Sequence, residues 1–396
     1  MKAIILAAGE GCRLKPFTNS IPKPMIPVGN KPIIQYVIEA LVKNKIKNCV
    51  IIVGYKKERI MNYFDDGKKF NIKIKYVEQK HQVGTGHALI QAKKDFSEDL
   101  IVLAGDNIIN GNLIAPLIEK KGTSILYTMS DTPSKYGVIS VNDGHLVRIQ
   151  EKPNEEIGKL ISTGIYRFEK ENLKELENFV EKGKTSITCY FNNLIKNGKE
   201  INAVKGTGYW HDAVYPWDLL TLNEISLKHI NSNTNDLKNV IINGKVNIGT
   251  NSIIHPGSFI VGPVIIGEGC EIGPNTCIFP STSIGDNVTI GTNCEIKNSI
   301  IMSNTKIQSK STIVQSVLGE GNNIQMNFTT DYSNSIINNY ETNKLYQVPN
   351  IGSFIGDGCN IGSNVIIDSG KIIGNNCEIR SMKRISENLN NNSIVV

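Results

Sequence analysis

Residues 3–8 form an unbroken apolar run, the pattern of a strand buried on both faces of a parallel sheet. Comparable runs recur at 49–53, 73–77, 100–104, 124–130, 137–141 and 161–168, and helix-like stretches fall between them at 31–43, 56–66, 84–94 and 111–120. Such alternation predicts an α/β domain with a Rossmann-like, mostly parallel sheet whose ligands bind at the carboxyl ends of the strands. A last helical stretch over 216–228 closes this domain, expected to span 1–228. The polar, turn-rich residues 229–240 then mark a linker.

Beyond the linker the pattern changes. Isoleucine occupies positions 242, 248, 254, 260, 266, 272, 278, 284, 290 and 296, ten places at a period of six. Glycine follows it at 249, 267, 273, 285 and 291, and the period returns at Ile355, Ile361, Ile367, Ile373 and Ile379. A period of six fits neither a helix nor an ordinary strand; it signals a parallel β-helix over 241–396. Each isoleucine should stack inside, the small residue after it should let the chain turn, and three hexads should make a coil rising about 4.8 Å. The pattern resembles the left-handed hexapeptide β-helix, which implies a homotrimer or higher homo-oligomer formed through this domain. After Ile296 the register slips, because Met302 stands where isoleucine is due while Ile301, Ile307 and Ile313 run one residue out of step. Residues 325–350 lose the period and read as a projecting loop or a distorted turn.

Composition narrows the function. The 396 residues suffice for two domains with separate cores. The balance of 43 basic and 37 acidic residues gives a scattered +6, with no basic block carrying interleaved aromatics, which argues against a nucleic-acid role. No run reaches the length of a membrane span, and the residues before the first glycine do not form a signal peptide. The eight cysteines at 12, 49, 189, 270, 277, 294, 359 and 377 contain no Cys-x-x-Cys, which argues against zinc and against a disulfide framework. The expectation is a cytoplasmic protein of a reducing compartment, without membrane association.

The chemistry begins where the first strand ends. Gly9 and Gly11 let the backbone turn and approach a phosphate, Arg13 supplies a guanidinium fork, and Lys23 of Pro22-Lys23-Pro24 supplies a point charge. A dinucleotide fingerprint would need a third glycine, which this loop lacks, and a P-loop would need Gly-Lys-Ser/Thr. An ordinary strand-to-loop connection is the bland alternative, weakened by the basic residues and the repeated prolines. This segment resembles the signature of the sugar-1-phosphate nucleotidylyltransferases, and the resemblance covers residues 1–228. It implies that Leu6, Ala8, Gly9 and Gly11 bind the nucleotide and that Arg13 and Lys23 hold the triphosphate.

Nucleotidyl transfer joins two anions and therefore calls for a divalent cation and basic side chains more than for a nucleophile. Asp106, in Ala104-Gly105-Asp106-Asn107, follows an apolar strand and should emerge at its carboxyl end; alone it would read as a turn or capping aspartate. The resemblance makes it the Mg²⁺ aspartate, and Asp212 in Trp210-His211-Asp212 the second metal ligand, with His211 a packing residue or a support for the site. Gln79, Gly84 and Thr85 match positions that contact uracil or thymine in the family. Gln79 could present both a donor and an acceptor to such a base, and Thr85 could equally cap its own helix. Gly137, Glu151, Lys152 and Thr163 are implied in binding the sugar phosphate. Ser162 stands where N-acetylglucosamine-specific members often carry asparagine, so glucose 1-phosphate and N-acetylglucosamine 1-phosphate are both open, as are UTP and dTTP.

Over its full length the chain resembles bifunctional uridyltransferase/acetyltransferases. Acetyl transfer to an amine needs a base, ordinarily histidine. The family's His-x-x-Tyr falls on Ser309 and Thr312, and its Gly-Ala-Gly-Thr turn on Gln325, Met326, Asn327 and Phe328. His255 is the single histidine within the repeats. The reading is a scaffold whose acetyltransferase site is lost, with a displaced site at His255 as the rival and a non-catalytic nucleotide-sugar-binding regulator as a further alternative.

Overall fold

A computed structural model of the chain describes all residues except 154, 156, 234–236 and 340–343. Part of the expected linker and part of the expected irregular segment therefore lie outside the described residues. The chain forms two compact units, one of residues 1–10 and 33–212, the other of residues 11–32 and 213–396.

In the first unit the elements run β1 (Lys2–Ala7), α1 (Ile33–Lys43), β2 (Asn48–Val53), α2 (Lys57–Phe64), β3 (Lys73–Glu78), α3 (Thr85–Ile90), β4 (Leu100–Ala104), β5 (Asn107–Ile109) and α4 (Gly111–Glu119). They continue as β6 (Ser124–Met129), β7 (Gly137–Asn142), β8 (His145–Glu151), β9 (Leu160–Phe168), α5 (Lys170–Glu181), α6 (Ile187–Lys196), β10 (Asn202–Lys205) and β11 (Trp210–Asp212). Nine strands make one sheet in the order β3-β2-β1-β4-β9-β6-β10-β8-β7. The half from β3 to β4 is parallel throughout; β9 runs antiparallel to β4 and β6, and only the β6–β10 pair is parallel beyond it. Ile4 lies between Val50 and Val102 in this ladder and is fully buried, which is why β1 is apolar at every position from 3 to 6.

Helix α1 turns a stripe of Ile33, Ile34, Val37, Ile38 and Leu41 inward and stops at Asn44, whose amide donates to Ala40 O and Gly111 O. The ends of β1, β2 and β4 lie side by side: Leu6 O accepts the Gly105 N–H at 2.9 Å and Ala8 O the Tyr55 N–H at 3.1 Å. Three loops thus leave one edge of the parallel half together, as the alternation predicts.

In the second unit the hexads wind into three parallel sheets of eight, seven and eight short strands. Ile260, Ile278, Ile296 and Ile313 stack in one column, each at most 1% exposed. The corners are turned by asparagines in the left-handed region, such as Asn275, Asn287, Asn293 and Asn304 at φ 55–60°, where Asn is tolerated. The glycine after each isoleucine has a different reason from the one the period suggests. A Cβ on Gly285 would lie 2.6 Å from Ser303 N, so the next coil's backbone excludes it. The four cysteines Cys270, Cys294, Cys359 and Cys377 are buried in this core; the thiol of Cys270 donates to Gly285 O and that of Cys359 to Gly374 O.

The slip after Ile296 is a shortened coil. Ile284 stacks on Ile301 and Ile301 on Leu318, 17 residues apart in each case, where 18 separate Ile278 from Ile296. The deleted residues fall at corners made by Asn298 and Gln315, both at positive φ, and the Asn298 amide donates to Gln315 Oε1 at 2.8 Å. The coil also outlasts the lost period. Phe328 and Thr330 are buried in it, and Thr330 pairs with Ile367 across an insertion. That insertion is a β-hairpin of Ser333–Asn339 and Lys344–Ile351, so the irregular segment is narrower than 325–350. Tyr346 fastens it, its ring 4.6 Å from Tyr215 and 5.5 Å from Trp217.

Residues 11–32 and 213–228 pack with the hexads, although the sequence pattern assigns them to the first domain. Helix α7 (Asp218–Leu227) carries the polar joint. Asn223 is fully buried; its Oδ1 accepts from Gly29 N at 2.9 Å and Ser283 Oγ at 2.8 Å, and its Nδ2 donates to Ser281 O at 2.8 Å. The Asn30 amide donates to Ile284 O, and Ser20 meets Asp357. Asn223→Ala would strand two donors and a carbonyl in a dry joint, at a cost of about 2–4 kcal/mol. The expected result is a lower thermal unfolding midpoint for this variant; an unchanged midpoint would show that the joint contributes nothing to stability.

Candidate active site

Asp106 emerges two residues beyond β4, and β5 begins immediately after it. β5 pairs antiparallel with β11, setting Asp212 opposite Asn107, His211 opposite Ile108 and Trp210 opposite Ile109. This register carries Asp212 to within one residue of Asp106 across the ribbon, and both carboxylates are half-buried. Trp210 anchors the ribbon: its indole N–H donates to Thr163 O at 3.0 Å, and its ring meets Tyr136 edge-on at 5.1 Å. Burial pushes the His211 imidazolium pKa below its ordinary value, so the ring is neutral at pH 7, stacked near Tyr209. Asn107 is buried and its Oδ1 has no hydrogen-bond partner.

Among the described residues no three His, Cys, Asp or Glu side chains gather as a metal cage. Two carboxylates alone match a hard divalent cation that completes its shell with phosphate oxygens and water.

The expected base loop follows β3. Gln79 is buried and its N–H continues the ladder to Val53 O at 2.8 Å. Gly84 adopts φ 148°, and a Cβ there would lie 2.6 Å from Thr185 O. Thr85 does not cap its own helix. α3 has no side-chain cap, and Thr85 Oγ1 instead accepts the Ile187 N–H at 3.1 Å, at the start of α6. The N–H groups of Gly86 and His87 both donate to Thr185 O. Thr185 is thus a residue of this site that sequence reading missed; the tight Gly-Thr-Gly spacing is its only local sign.

On the antiparallel half, Gly137 of β7 pairs with Glu151 of β8, and a Cβ on Gly137 would meet Glu151 Oε2 at 3.1 Å and Ser162 Cβ at 3.8 Å. Lys152 is exposed and strained at φ 43°, held by its N–H donating to Tyr136 O at 2.9 Å. Burial pushes the Tyr166 phenol up to about 12, with Ser162 and Glu151 as its neighbours. Thr163 is buried, and its hydroxyl donates to Leu126 O at 2.8 Å. Its carbonyl holds Trp210, so Thr163 joins the sugar-side residues to the ribbon bearing Asp212. Gly137, Glu151, Ser162, Thr163, Trp210, Asp106 and Asp212 are thereby brought into one connected region of the first unit.

Leu6 lies in β1 and Ala8 just beyond its end, and a Cβ on Gly9 would meet nothing within 4 Å. In the second unit Gly11 takes φ 75°, and a Cβ there would lie 2.7 Å from Lys23 Cβ. Glycine is required at 11 both for its backbone conformation and because Lys23 packs against it. Arg13 lies on the short turn Cys12–Leu14 and is exposed.

In the β-helix Ser309 Oγ accepts the Thr292 N–H, a corner contact, and Thr312 lies between Glu295 and Thr329 in the ladder. Phe328 fills the core where the family turn has threonine. His255 Nε2 lies 3.0 Å from Glu271 Oε1 on the exposed face. A cleft of about 480 Å³ opens on the same sheet, lined by Asn323, Gln325, Asn360, Glu378, Arg380 and Ser381.

The family model for nucleotidyl transferase matches residues 2–228, that for the GMPPB C-terminal domain 260–340, and that for the hexapeptide repeat of succinyl-transferase 354–380. The chain is 37% identical to a bifunctional protein GlmU of Methanococcus maripaludis over 93% of both chains. It is 34% identical, over 93% of both, to a bifunctional sugar-1-phosphate nucleotidylyltransferase/acetyltransferase of Sulfurisphaera tokodaii. It is 33% identical to a glucose-1-phosphate thymidylyltransferase of Streptomyces antibioticus, over 68% of this chain and 79% of that one. A crystal structure from Bacillus anthracis with bound sucrose, described as a glucose-1-phosphate thymidylyltransferase, superposes with a TM-score of 0.54 at 28% identity, covering 59% of this chain and 98% of that one. With paired carboxylates at the strand ends and a family model spanning more than half its length, this chain belongs to the nucleotidyl transferase family and is a sugar-1-phosphate nucleotidyltransferase.

Proposed function

We propose that the chain transfers the nucleotidyl group of UTP or dTTP to glucose 1-phosphate or N-acetylglucosamine 1-phosphate, with Mg²⁺ as the divalent ion. The observation that supports this reading is the β5–β11 register, which sets Asp212 opposite Asn107, the residue that follows Asp106. An oxygen of the sugar phosphate bonds to the α-phosphorus, the α–β bridging bond breaks, and its electron pair leaves with pyrophosphate. Mg²⁺ would be held by Asp106 and Asp212 and would neutralise charge on the triphosphate as it develops.

The remaining work is binding and alignment by the chain's own groups. Gly9 and Gly11 give the triphosphate close access to backbone N–H groups, and Arg13 and Lys23 neutralise it. Glu151 accepts from sugar hydroxyls, and Lys152 neutralises the sugar phosphate. No residue has to remove a proton, because the attacking phosphate oxygen is already ionised at neutral pH; a neutral His211 is consistent with that. Residues 1–228 serve as the catalytic domain in this reading and 241–396 as an oligomerising scaffold, a homotrimer or larger. The free thiols among the described residues fit a cytoplasmic setting.

A second reading has the β-helix also acetylate glucosamine 1-phosphate, and the bifunctional relatives favour it. Against it stand Ser309, already engaged at a corner, and Phe328, packed into the core. We propose that acetyl transfer is absent. Release of CoA from acetyl-CoA and glucosamine 1-phosphate should stay at background, and turnover at ordinary enzyme rates would establish the second reading.

Asp106→Ala should lower pyrophosphate release by at least about 10²-fold while leaving the unfolding midpoint within a few degrees. Activity within about tenfold of the parent would place the metal elsewhere. A pyrophosphate-release panel crossing UTP, dTTP, GTP and CTP with glucose, N-acetylglucosamine and mannose 1-phosphates should give its highest kcat/KM with a uracil or thymine triphosphate. A preference for GTP would remove the pyrimidine reading.

A further inference from the structure

If Gln79 reads the base, something must fix which end of its amide faces the ligand. A half-turn of that amide exchanges a donor for an acceptor, and with it the base that fits. Gln79 is 3% exposed, and its Nε2 lies 3.3 Å from Gly84 O and 2.9 Å from His87 Nδ1. A backbone carbonyl can only accept, so the amino end of Gln79 must face Gly84. Its second N–H then needs an acceptor at His87 Nδ1, which assigns the imidazole proton to Nε2.

A competitor lies on the other side of the ring. Gln91 Nε2 is 3.3 Å from His87 Nε2 and also donates to His87 O at 3.1 Å. A neutral imidazole has one acceptor nitrogen, so both amides cannot donate to it. The shorter contact and the deeper burial decide for Gln79, and the partly exposed Gln91 keeps its bond to the His87 carbonyl. His87 is itself pinned from a distant segment, since its N–H and that of Gly86 both donate to Thr185 O.

With both amide protons engaged, Gln79 Oε1 accepts no hydrogen bond among the described residues. That oxygen is the atom left to meet a ligand. An acceptor suits the N3–H of uracil or thymine and opposes cytosine, whose N3 is itself an acceptor. We propose that His87 is the positioning residue that sets the polarity of Gln79, and through it the preference for uracil or thymine over cytosine. The proposal rests on the reading of Gln79 as the base contact.

The test is steady-state kinetics on the full chain with the preferred pyrimidine triphosphate, using CTP as a competitive inhibitor. The variants are His87→Ala, His87→Asn, Gln79→Ala and the double variant of Gln79→Ala with His87→Ala. His87→Ala should raise KM about tenfold and narrow the KM-to-Ki discrimination against CTP by a similar factor, with kcat within about twofold. His87→Asn should recover most of that discrimination, because Asn Oδ1 can accept where Nδ1 did. Helix propensity ranks Ala above Asn, so a merely structural role would order the two variants oppositely, and the unfolding midpoints report that order. In the Gln79→Ala background His87→Ala should have no further effect. If Gln79→Ala abolishes the discrimination while His87→Ala preserves it, the positioning role is overturned and the base contact survives. If Gln79→Ala itself changes neither KM nor discrimination, the base contact fails and the proposal falls with it.

Discussion

The three-residue ribbon that pairs β11 with β5 is the constraint on which the site depends. It returns the chain, about a hundred residues later, to the end of β4 and sets a second carboxylate beside the first. Two carboxylates on one short ribbon match the hard oxygen donors that a divalent cation takes. The ribbon is too short to hold its register by backbone bonds alone. Trp210 supplies the rest, with its indole N–H on Thr163 O and its ring against Tyr136. The same indole therefore couples the ribbon bearing Asp212 to the strand bearing Ser162 and Thr163 and to the tyrosine whose carbonyl holds strained Lys152.

This arrangement explains the division of the sheet. Its parallel half brings the ends of β1, β2 and β4 to one edge, the edge at which such sheets offer loop backbone to ligands. In the proposed reading its antiparallel half, through β7, β8 and β9, supplies the hydroxyl, carboxylate and ammonium groups that would meet a sugar phosphate. Where the two halves meet, β9 lies next to β4, and its irregular register between Ser162 and Tyr166 falls close to the end of the strand that leads to Asp106.

Much of this is legible in the sequence, and the limits have physical causes. The buried strands β1, β2 and β4 are legible because burial on both faces demands unbroken apolar runs. The hexads are legible because each isoleucine repeats one environment. Strands β5, β10 and β11 are not, since elements of three or four residues carry no periodicity. Helix α5 escapes notice because charged residues surround its narrow stripe of Leu173, Leu176 and Val180. Asp106 and Asp212 can be paired by resemblance, but their register depends on Trp210 reaching Thr163, a contact between segments 47 residues apart. The role of Thr185 is hidden for the same reason. The shortened coils at Asn298 and Gln315 look like a broken repeat only because periodicity counts residues, whereas stacking counts positions in space.

The β-helix keeps its core through two deletions and a hairpin insertion because each column needs only an apolar side chain at the right place. The positions aligned with acetyl transfer have meanwhile become corner and core residues. The proposed reading makes the carboxylate ribbon the centre of the chemistry, and its occupancy can be seen directly. Crystals grown with Mn²⁺ and a non-hydrolysable UTP or dTTP analogue should show an anomalous difference peak bonded to Asp106, Asp212 and the triphosphate. A peak bound to the triphosphate but remote from both carboxylates would contradict the account.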